Sequence, residues 1–258
     1  MPNGSVCVST SKLNKSADRT LAILEAFEES KRPLTLRELA ERCEIPVSTC
    51  HALVHTLLGK SYLYQSSRRK DLYPTRRILD LGATVVAHDP SLERMSPTLT
   101  QLRSATRETV IVGKRQNEQV LYLEVLESPQ TIRYSSRAGE LKPLHSTCIG
   151  KVMLAALPPA EFLAWRRTHT LPRVTGSTIT SHGQLKLNLE EGRRQGYFIT
   201  RGENVADVTA IAVPVLVNGE LLGLAVAGPS HRMDPSLGKH VSQLLHAQKS
   251  LQREGIAT

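Results

Sequence analysis

The spacing of apolar residues divides the chain into a helical first part and a second part in which helices alternate with strands. In residues 15–75, apolar side chains recur every three or four positions and predict three short helices. The first helix is predicted to have Ser16 as its N-cap and to end before Pro33. In residues 91–258, alternating apolar runs predict strands among further helices, so the second part is expected to be an α+β domain with a central antiparallel sheet.

The second and third predicted helices form a helix-turn-helix. The turn is predicted at 43–46, because Pro46 disfavours helix in the residue before it and suits a first helical position. On the third helix, polar side chains occupy the face away from the apolar positions; they are Ser48, Thr49, His51 and His55. A polar outer face on the second helix of such a pair is typical of a helix that lies in the DNA major groove.

Two aromatic-rich segments around a polar tip at 65–70 predict a two-stranded wing after the helix pair. Between residues 47 and 77 one acid, Asp71, stands against six basic residues, a net charge of +5; the basic residues are Lys60, Arg68, Arg69, Lys70, Arg76 and Arg77. The whole chain of 258 residues carries a net charge of +9, which favours a polyanionic partner. Basic charge is therefore concentrated where DNA phosphates would lie.

The candidate DNA-binding residues belong to the helix-turn-helix and the wing. They are Thr35, Arg37, Val47, Ser48, Thr49, His51, Ala52, His55, Lys60, Arg68, Arg69 and Lys70. Among them, Ser48, Thr49, His51 and His55 are expected to contact base edges or nearby phosphates. The wing residues are expected to engage the DNA backbone or the minor groove.

A single amphipathic helix is predicted between the two parts, at 76–90. Its apolar residues have no partner in so small a domain, so we expect it to pack against a second subunit. The predicted organisation is a disordered N-terminus at 1–14, a winged helix-turn-helix domain at 15–75, a linker helix at 76–90 and an effector-binding domain at 91–258.

In the second part, Asn218-Gly219 predicts a hairpin and Gly196 predicts a helix end. Strands are predicted at 109–115, 119–126, 131–136, 197–201, 210–217 and 221–228. Helices are predicted at 92–108, 148–157, 159–167, 184–195 and 236–252.

Two features of the second part suggest a ligand site. The segment 145–151 precedes an apolar helix, and the backbone N–H groups at such a helix start can bind a carboxylate, with Ser146 or Thr147 adding hydroxyls. A capped helix start without a ligand would have the same sequence. Small residues, among them Ala210 and Ala225, lie on two predicted strands, where they either leave room for a ligand or let a helix pack closely.

Several motifs occur in an order that resembles the isocitrate lyase regulator (IclR) family of bacterial transcription factors, over essentially the whole chain. They are LTLRELAERCEIPVSTCHALVHTL at 34–57, LKPLHSTCIGKVMLA at 141–155, STIT at 177–180, RRQGYFIT at 193–200, AIAVPV at 210–215 and LAVAGP at 224–229. The resemblance implies a winged helix joined by a helix to a GAF-like effector-binding domain. It also implies homodimers or dimers of dimers on palindromic operators of double-stranded DNA, and a response to small organic or aromatic acids.

The resemblance further indicates that an effector pocket is lined by residues ahead of a Gly-Lys pair and by the last two long strands. With the helix start and two arginines, the candidate effector-binding residues are Arg133, His145, Ser146, Thr147, Cys148, Ile149, Gly150, Arg201, Ala210, Ala225 and Ala227.

This chain departs from the family pattern in both parts. Val47 and Ala52 replace basic residues that are common in the recognition helix of relatives, so the operator sequence is expected to differ. Small alanines replace the Cys and Ser found in members that bind small keto acids, and Thr200 and Arg201 replace an acidic pair. A more apolar pocket with an arginine nearby favours a larger, aromatic acid.

Three other functions are compatible with parts of the sequence. An enzyme could use Cys148 and His145 as a nucleophile pair, but no residue to orient them and no oxyanion motif can be named. A structural adaptor with a degenerate DNA-binding head is opposed by the basic wing. A metal site would use Cys43, Cys50, His51 and His55, of which the histidines occupy the face that DNA requires.

The expectation is therefore a regulator that is not an enzyme and uses no metal or cofactor. Neither a signal peptide nor an apolar run long enough to span a bilayer is visible, so no membrane partner and a cytoplasmic location are expected.

Overall fold

The computed structural model describes residues 14–67, 69–87 and 89–255. The chain divides into two units between Asp89 and Pro90. The predicted disordered N-terminus lies outside the described residues, except for Asn14. In the described part, no helix combines the length and the apolar composition needed to cross a bilayer.

The first unit is a winged helix-turn-helix. Its elements are α1 Lys15–Ser30, α2 Leu36–Arg42, α3 Val47–Gly59, β1 Leu63–Gln65, β2 Leu72–Pro74 and α4 Arg77–Ala87. Strands β1 and β2 pair antiparallel, and Leu34 adds a bridge to Leu72, with N–O distances of 2.8 and 3.1 Å. The core of this unit is built from buried apolar side chains of all three helices before the wing, among them Phe27, Leu39 and Val54.

One local prediction in this unit was wrong by two residues, and another was confirmed. The N-cap of α1 is Asn14, whose side-chain oxygen accepts the N–H groups of Ser16 and Ala17; the predicted cap, Ser16, lies inside the helix. The predicted turn at 43–46 is confirmed, since Pro46 is the N-cap of α3 and Val47 is the first helical residue. Both starts follow cap geometry, since the residue before a helix keeps non-helical backbone angles.

The second unit is an antiparallel sheet between two layers of helices. Its strands are β3 Thr109–Gln116, β4 Gln119–Leu126, β5 Leu141–Pro143, β6 Phe198–Arg201, β7 Val208–Val217 and β8 Glu220–Pro229, in the order β5-β4-β3-β8-β7-β6. Its helices are α5 Pro90–Thr106, α6 Cys148–Ala156, α7 Pro159–Thr168, α8 His182–Gln195, α9 Ser230–Met233 and α10 Leu237–Gly255. The predicted hairpin at Asn218-Gly219 joins β7 and β8, and both of its turn residues have positive φ.

The alternation of side chains along β7 divides the buried residues between two cores. Ile211, Val213 and Val215 face the core formed with α5 and α10. Ala210 and Ala212 face the core formed with α6, α7 and α8. The mixed α+β architecture with a curled antiparallel sheet agrees with the predicted fold class.

One predicted strand is absent, and one helix was missed. Residues 133–136 alternate in burial as a strand would, but the whole segment 131–136 lies in a loop. Its backbone is held by side chains, as where the hydroxyl of Thr109 donates to the carbonyl of Tyr134 at 2.6 Å. Leu141–Pro143 provides the edge strand instead, pairing with β4. The short helix α9 follows β8 directly, and Arg232 within it binds the buried Glu108 through two nitrogens at 2.7 and 2.9 Å.

Candidate DNA-binding surface and effector pocket

The outer face of α3 is polar and exposed. Its inner face buries Cys50, Val54 and Leu57, which fixes the orientation of the helix. The predicted DNA contacts on the outer face are exposed, with Thr49 half-buried; they are Val47, Ser48, Thr49, His51, Ala52 and His55. This face can therefore present hydroxyl and imidazole groups to the edges of base pairs.

The predicted contacts on α2 are partly used within the protein. The hydroxyl of Thr35 caps α2 by accepting the N–H of Glu38, whose carboxylate binds the Thr35 N–H in return at 2.8 Å. A hydrogen bond from Arg32, with those from Thr35, lowers the pKa of Glu38 to about 2. Arg37 is exposed and pairs with Glu41 at 2.9 Å. The capping box therefore holds the start of the helix-turn-helix, and Arg37 stays accessible.

The wing carries its basic residues at the tip and near its base. Arg69, Lys70 and Lys60 are exposed, while Arg68 lies outside the described residues. The tip is closed by hydrogen bonds from the Ser66 N–H to the Asp71 carbonyl at 2.8 Å and from the Lys70 N–H to the Ser66 carbonyl at 3.0 Å. A closed tip with accessible cations is suited to contacts with the phosphate backbone.

The structure does not assemble the residues of the alternative metal site. Cys50 is buried in the helical core beside the Leu36 carbonyl, whereas His51 and His55 are exposed on the other side of α3. Over the residues that the structure describes, no three His, Cys, Asp or Glu side chains are grouped so that they could hold a metal ion.

A cavity lies in the second unit between the sheet and the start of α6. Six predicted effector residues line it: Thr147, Cys148, Ile149, Ala210, Ala225 and Ala227. The alanines are brought together by strand register, since β7 and β8 pair Ala210 with Ala227 and Ala212 with Ala225. The resulting floor of methyl groups leaves the space that larger side chains would fill.

The cavity is narrow. It contains about 370 Å³ of empty space, counting its open mouth, and about 30 Å³ of this can take the centre of a water molecule. Since one water needs roughly 10–15 Å³ on that measure, this space holds about two waters. A ligand with an aromatic ring therefore requires one wall of the cavity to move.

The start of α6 is packed tightly against the strand before it. The Thr147 hydroxyl accepts the Gly150 N–H at 3.1 Å and donates to the Pro143 carbonyl at 2.8 Å. A side chain at position 150 would place its Cβ 2.1 Å from the Leu144 carbonyl oxygen, so glycine is required there by packing. Thr147 and Gly150 thus build the helix start that faces the cavity.

Four other predicted effector residues point elsewhere. The His145 Nε2 lies 2.9 Å from the Pro172 carbonyl, and burial lowers the pKa of the imidazole. The Ser146 hydroxyl donates to the Asn204 side-chain oxygen at 3.2 Å. Neither predicted arginine belongs to the lining of the cavity. Arg133 pairs with Glu127, and Arg201 pairs with Asp234 at 3.2 Å, so their charges are compensated outside the cavity.

Seven residues of the lining were missed by sequence reasoning. They are Ile111, Tyr122, Tyr134, Thr200, Asn204, Val205 and Val208. Thr200 is one of the departures from the family pattern. The other six residues come from separate segments of the chain, so no single stretch of sequence indicates that they share a cavity. Tyr134 reaches the lining from the loop that was predicted as a strand. Among the described residues, the polar groups of this wall are hydroxyls and one amide, and none of its side chains is charged.

The Cys148 thiol is unsuited to nucleophilic chemistry. Burial raises its pKa to about 12, and a thiol rather than a thiolate is a poor nucleophile. His145, its proposed partner, hydrogen-bonds to Pro172. The residues of the enzyme alternative therefore serve as an apolar lining and a structural contact.

Both units match models of one protein family. Residues 16–67 match the IclR helix-turn-helix domain, and residues 83–251 match the bacterial transcriptional regulator IclR C-terminal domain. The regulator BhcR of Paracoccus denitrificans is 29% identical over 240 residues, covering 92% of this chain and 86% of its own length. The regulator XynR of Escherichia coli is 27% identical over 245 residues, covering 94% and 95%.

Solved structures share the fold. The IclR of Thermotoga maritima superposes with a TM-score of 0.79 at 22% identity, covering 93% of this chain and 98% of that one. An IclR homolog from Microbacterium hydrocarbonoxydans, in complex with 4-hydroxybenzoate, gives 0.75 at 23% identity, covering 94% and 100%. The curated relatives are named transcriptional regulators, so this is a family of DNA-binding regulators and not of enzymes. The chain belongs to the IclR family of bacterial transcriptional regulators.

Proposed function

We propose that this regulator binds palindromic operators through α3 and the wing, and that a small organic acid in the cavity at α6 changes its affinity for them. The observation that carries the DNA half is the exposed polar face of α3 beside a basic wing. Phosphate contacts from the wing supply affinity, and contacts from α3 to base edges supply specificity.

The effector half of the proposal is supported by the cavity and by a relative. A helix start, two tyrosines and an alanine floor suit a carboxylate attached to an apolar or aromatic body. The homolog from Microbacterium hydrocarbonoxydans was crystallised with 4-hydroxybenzoate. Aromatic acids are therefore the first class of effector to test. The proposed role of the protein is to control a catabolic operon in the cytoplasm.

The linker helix supports a dimer. Three apolar side chains on α4, Leu79, Leu81 and Val85, are 68%, 55% and 62% exposed in the single chain. Burying such residues against a second copy would stabilise an association of two chains, as homodimer or as dimer of dimers. A palindromic operator requires two α3 helices related by two-fold symmetry, which this association provides.

Residues 76–90 are also the proposed transmitter between the two units. An effector shifts an equilibrium only between states that it binds unequally. We therefore infer that acid binding favours one arrangement of the paired DNA-binding units over another.

The first test is selection of bound fragments from the parent genome by the purified full chain at near-physiological salt. The expected result is enrichment of a palindrome upstream of a catabolic gene cluster, bound less or more tightly when benzoate or 4-hydroxybenzoate is added. No enrichment with or without added acid would contradict the DNA half and favour the adaptor. If only glyoxylate or pyruvate altered binding, the aromatic class would be wrong.

A further inference from the structure

Lys151 and Glu203 form a buried ion pair in the effector unit. The Lys151 Nζ lies 2.6 Å from Oε1 of Glu203 and 3.3 Å from the Ile199 carbonyl oxygen. Lys151 is fully buried, and Glu203 is 7% exposed. Burial lowers the pKa of the ammonium and raises the pKa of the carboxyl, in each case against the attraction of the partner. Such pairs often contribute no more stability than apolar residues of similar volume, so stability alone does not account for this one.

The pair joins two walls of the cavity. On one side, Lys151 lies on α6 one turn after Cys148, which lines the cavity. On the other side, Glu203 belongs to the loop at 202–207, whose Asn204 and Val205 also line the cavity. The distance between α6 and this loop is therefore the width of the cavity in that direction.

The loop is otherwise held by hydrogen bonds between neutral groups. The Thr178 hydroxyl donates to the Glu203 carbonyl at 2.7 Å, and the Thr175 hydroxyl donates to the Gly202 carbonyl. These two contacts attach the loop to the segment that precedes α8. A third neutral contact, from the Ser146 hydroxyl to the Asn204 side-chain oxygen at 3.2 Å, attaches it to the residue before the N-cap of α6. Oε2 of Glu203 is buried and has no hydrogen-bond partner among the described residues. The link from the Glu203 side chain to α6 therefore depends on the single contact between Nζ and Oε1.

We propose that Lys151 and Glu203 are positioning residues that fix the separation of α6 and the 202–207 loop, and thereby set the size of ligand that the cavity accepts. This inference rests on the proposed function, in that it assigns a role to the same cavity. When the link is removed, the loop moves away from α6. Small acids then lose their close contacts, while larger acids enter with less displacement of the wall.

Hydrogen exchange in the full chain without ligand tests the link itself. The variants are Glu203→Gln, Lys151→Met and the double variant Lys151→Met/Glu203→Leu, which removes both charges and stays measurable if the single variants fail to fold. Lys114→Ala, which breaks the partly exposed pair with Glu220, is the control. We expect amide exchange at 202–207 to rise at least about ten-fold in the double variant, without change in α10. Loop exchange equal to that of the parent chain in a folded double variant would overturn the proposal.

Calorimetry with benzoate and the longer 4-hydroxycinnamate tests the consequence for ligand size. In the double variant, the ratio of the benzoate Kd to the 4-hydroxycinnamate Kd should rise at least about ten-fold, whereas a purely structural role would change both Kd values alike. An unchanged ratio would refute the role in selecting ligand size. If the parent chain binds neither acid, the aromatic effector is wrong, and the exchange experiment still decides whether the pair holds the loop.

Discussion

The helices α3 and α6 each contribute to one of the two candidate sites, but they expose their residues in opposite ways. On α3, polar residues such as His51 and His55 are exposed and only one face is buried. On α6, every residue from Cys148 to Leu154 is buried, including a lysine. A surface that meets DNA keeps its chemistry on exposed side chains. A cavity must be formed by residues that also make the core.

Because of this difference, substitutions on α3 and on α6 should affect protein stability and ligand or DNA binding differently. An exposed side chain on α3 can change without disturbing the helical core, so its loss should alter DNA recognition alone. A change on α6 or on the sheet beneath it alters packing and ligand space together. Substitutions in the two regions should therefore have distinguishable effects.

The largest effect is expected from Lys151→Met. The change leaves the Glu203 carboxylate buried without its partner, and breaking such pairs costs about 3–5 kcal/mol. Urea unfolding followed by the fluorescence of Trp165, the single tryptophan of the chain, measures this in the effector unit. The double variant with Glu203→Leu should regain most of the loss. If it did not, the lysine stem rather than the charge would be the stabilising group.

Next in size is Ala227→Val, which fills part of the alanine floor. Overpacking should destabilise the effector unit by about 1–3 kcal/mol. Affinity for aromatic acids should also fall, at least about ten-fold, while operator affinity without ligand is unchanged. Val226→Ile on the same strand, which faces the opposite core, is the control. Equal loss of ligand affinity in both variants would show that the alanine floor has no special part in binding.

A change on α3 should affect specificity with little effect on stability. Thr49→Ala should reduce discrimination between the operator and altered sites by about 1–3 kcal/mol, whereas Arg69→Ala on the wing should weaken binding to all DNA and lower its salt dependence. Competition binding against specific and random fragments separates the two. Thr20→Ala on α1 is the matched control. Equal weakening on specific and random DNA by Thr49→Ala would exclude a base contact.

The smallest effect concerns pH and the capping box. Because the folded-state pKa of Glu38 lies below its ordinary value, its carboxylate stabilises the first unit above pH 4.5, and this contribution disappears as the pH falls to about 2. Thermal melts monitored by circular dichroism should therefore show less acid sensitivity in Glu38→Gln than in the parent chain. Glu41→Gln on the same helix controls for the lost charge. Identical acid profiles for the two variants would contradict this assignment.

Much of the fold could be predicted because its signals are local. Helical periodicity gave α2 and α3, and two positive-φ turn residues gave the β7–β8 hairpin. The prediction of a strand at 131–136 was wrong because alternation of side chains indicates an extended backbone, but does not indicate whether a partner strand is present. The short helix α9 has too few residues to show a period.

The cavity could be predicted only in part, because only some of its lining residues lie in a segment with a local sequence signal. Cys148 and Ile149 lie at a helix start that is visible in the sequence. Tyr122, Tyr134 and Asn204 come from distant segments that strand pairing and loops bring together. Arg201 was expected beside the ligand, but Asp234 lies within reach and compensates its charge outside the cavity.

By itself, the sequence determined most of the helices and strands, the order of the two units and the polar face of α3, because helical periodicity, caps and turns act between residues a few positions apart. The tertiary structure alone decided the cavity, the orientation of the arginines and the pairing of Lys151 with Glu203, which lie 52 positions apart. Burial and charge compensation depend on which segments the sheet brings into contact. A local sequence pattern does not indicate which distant segments will meet.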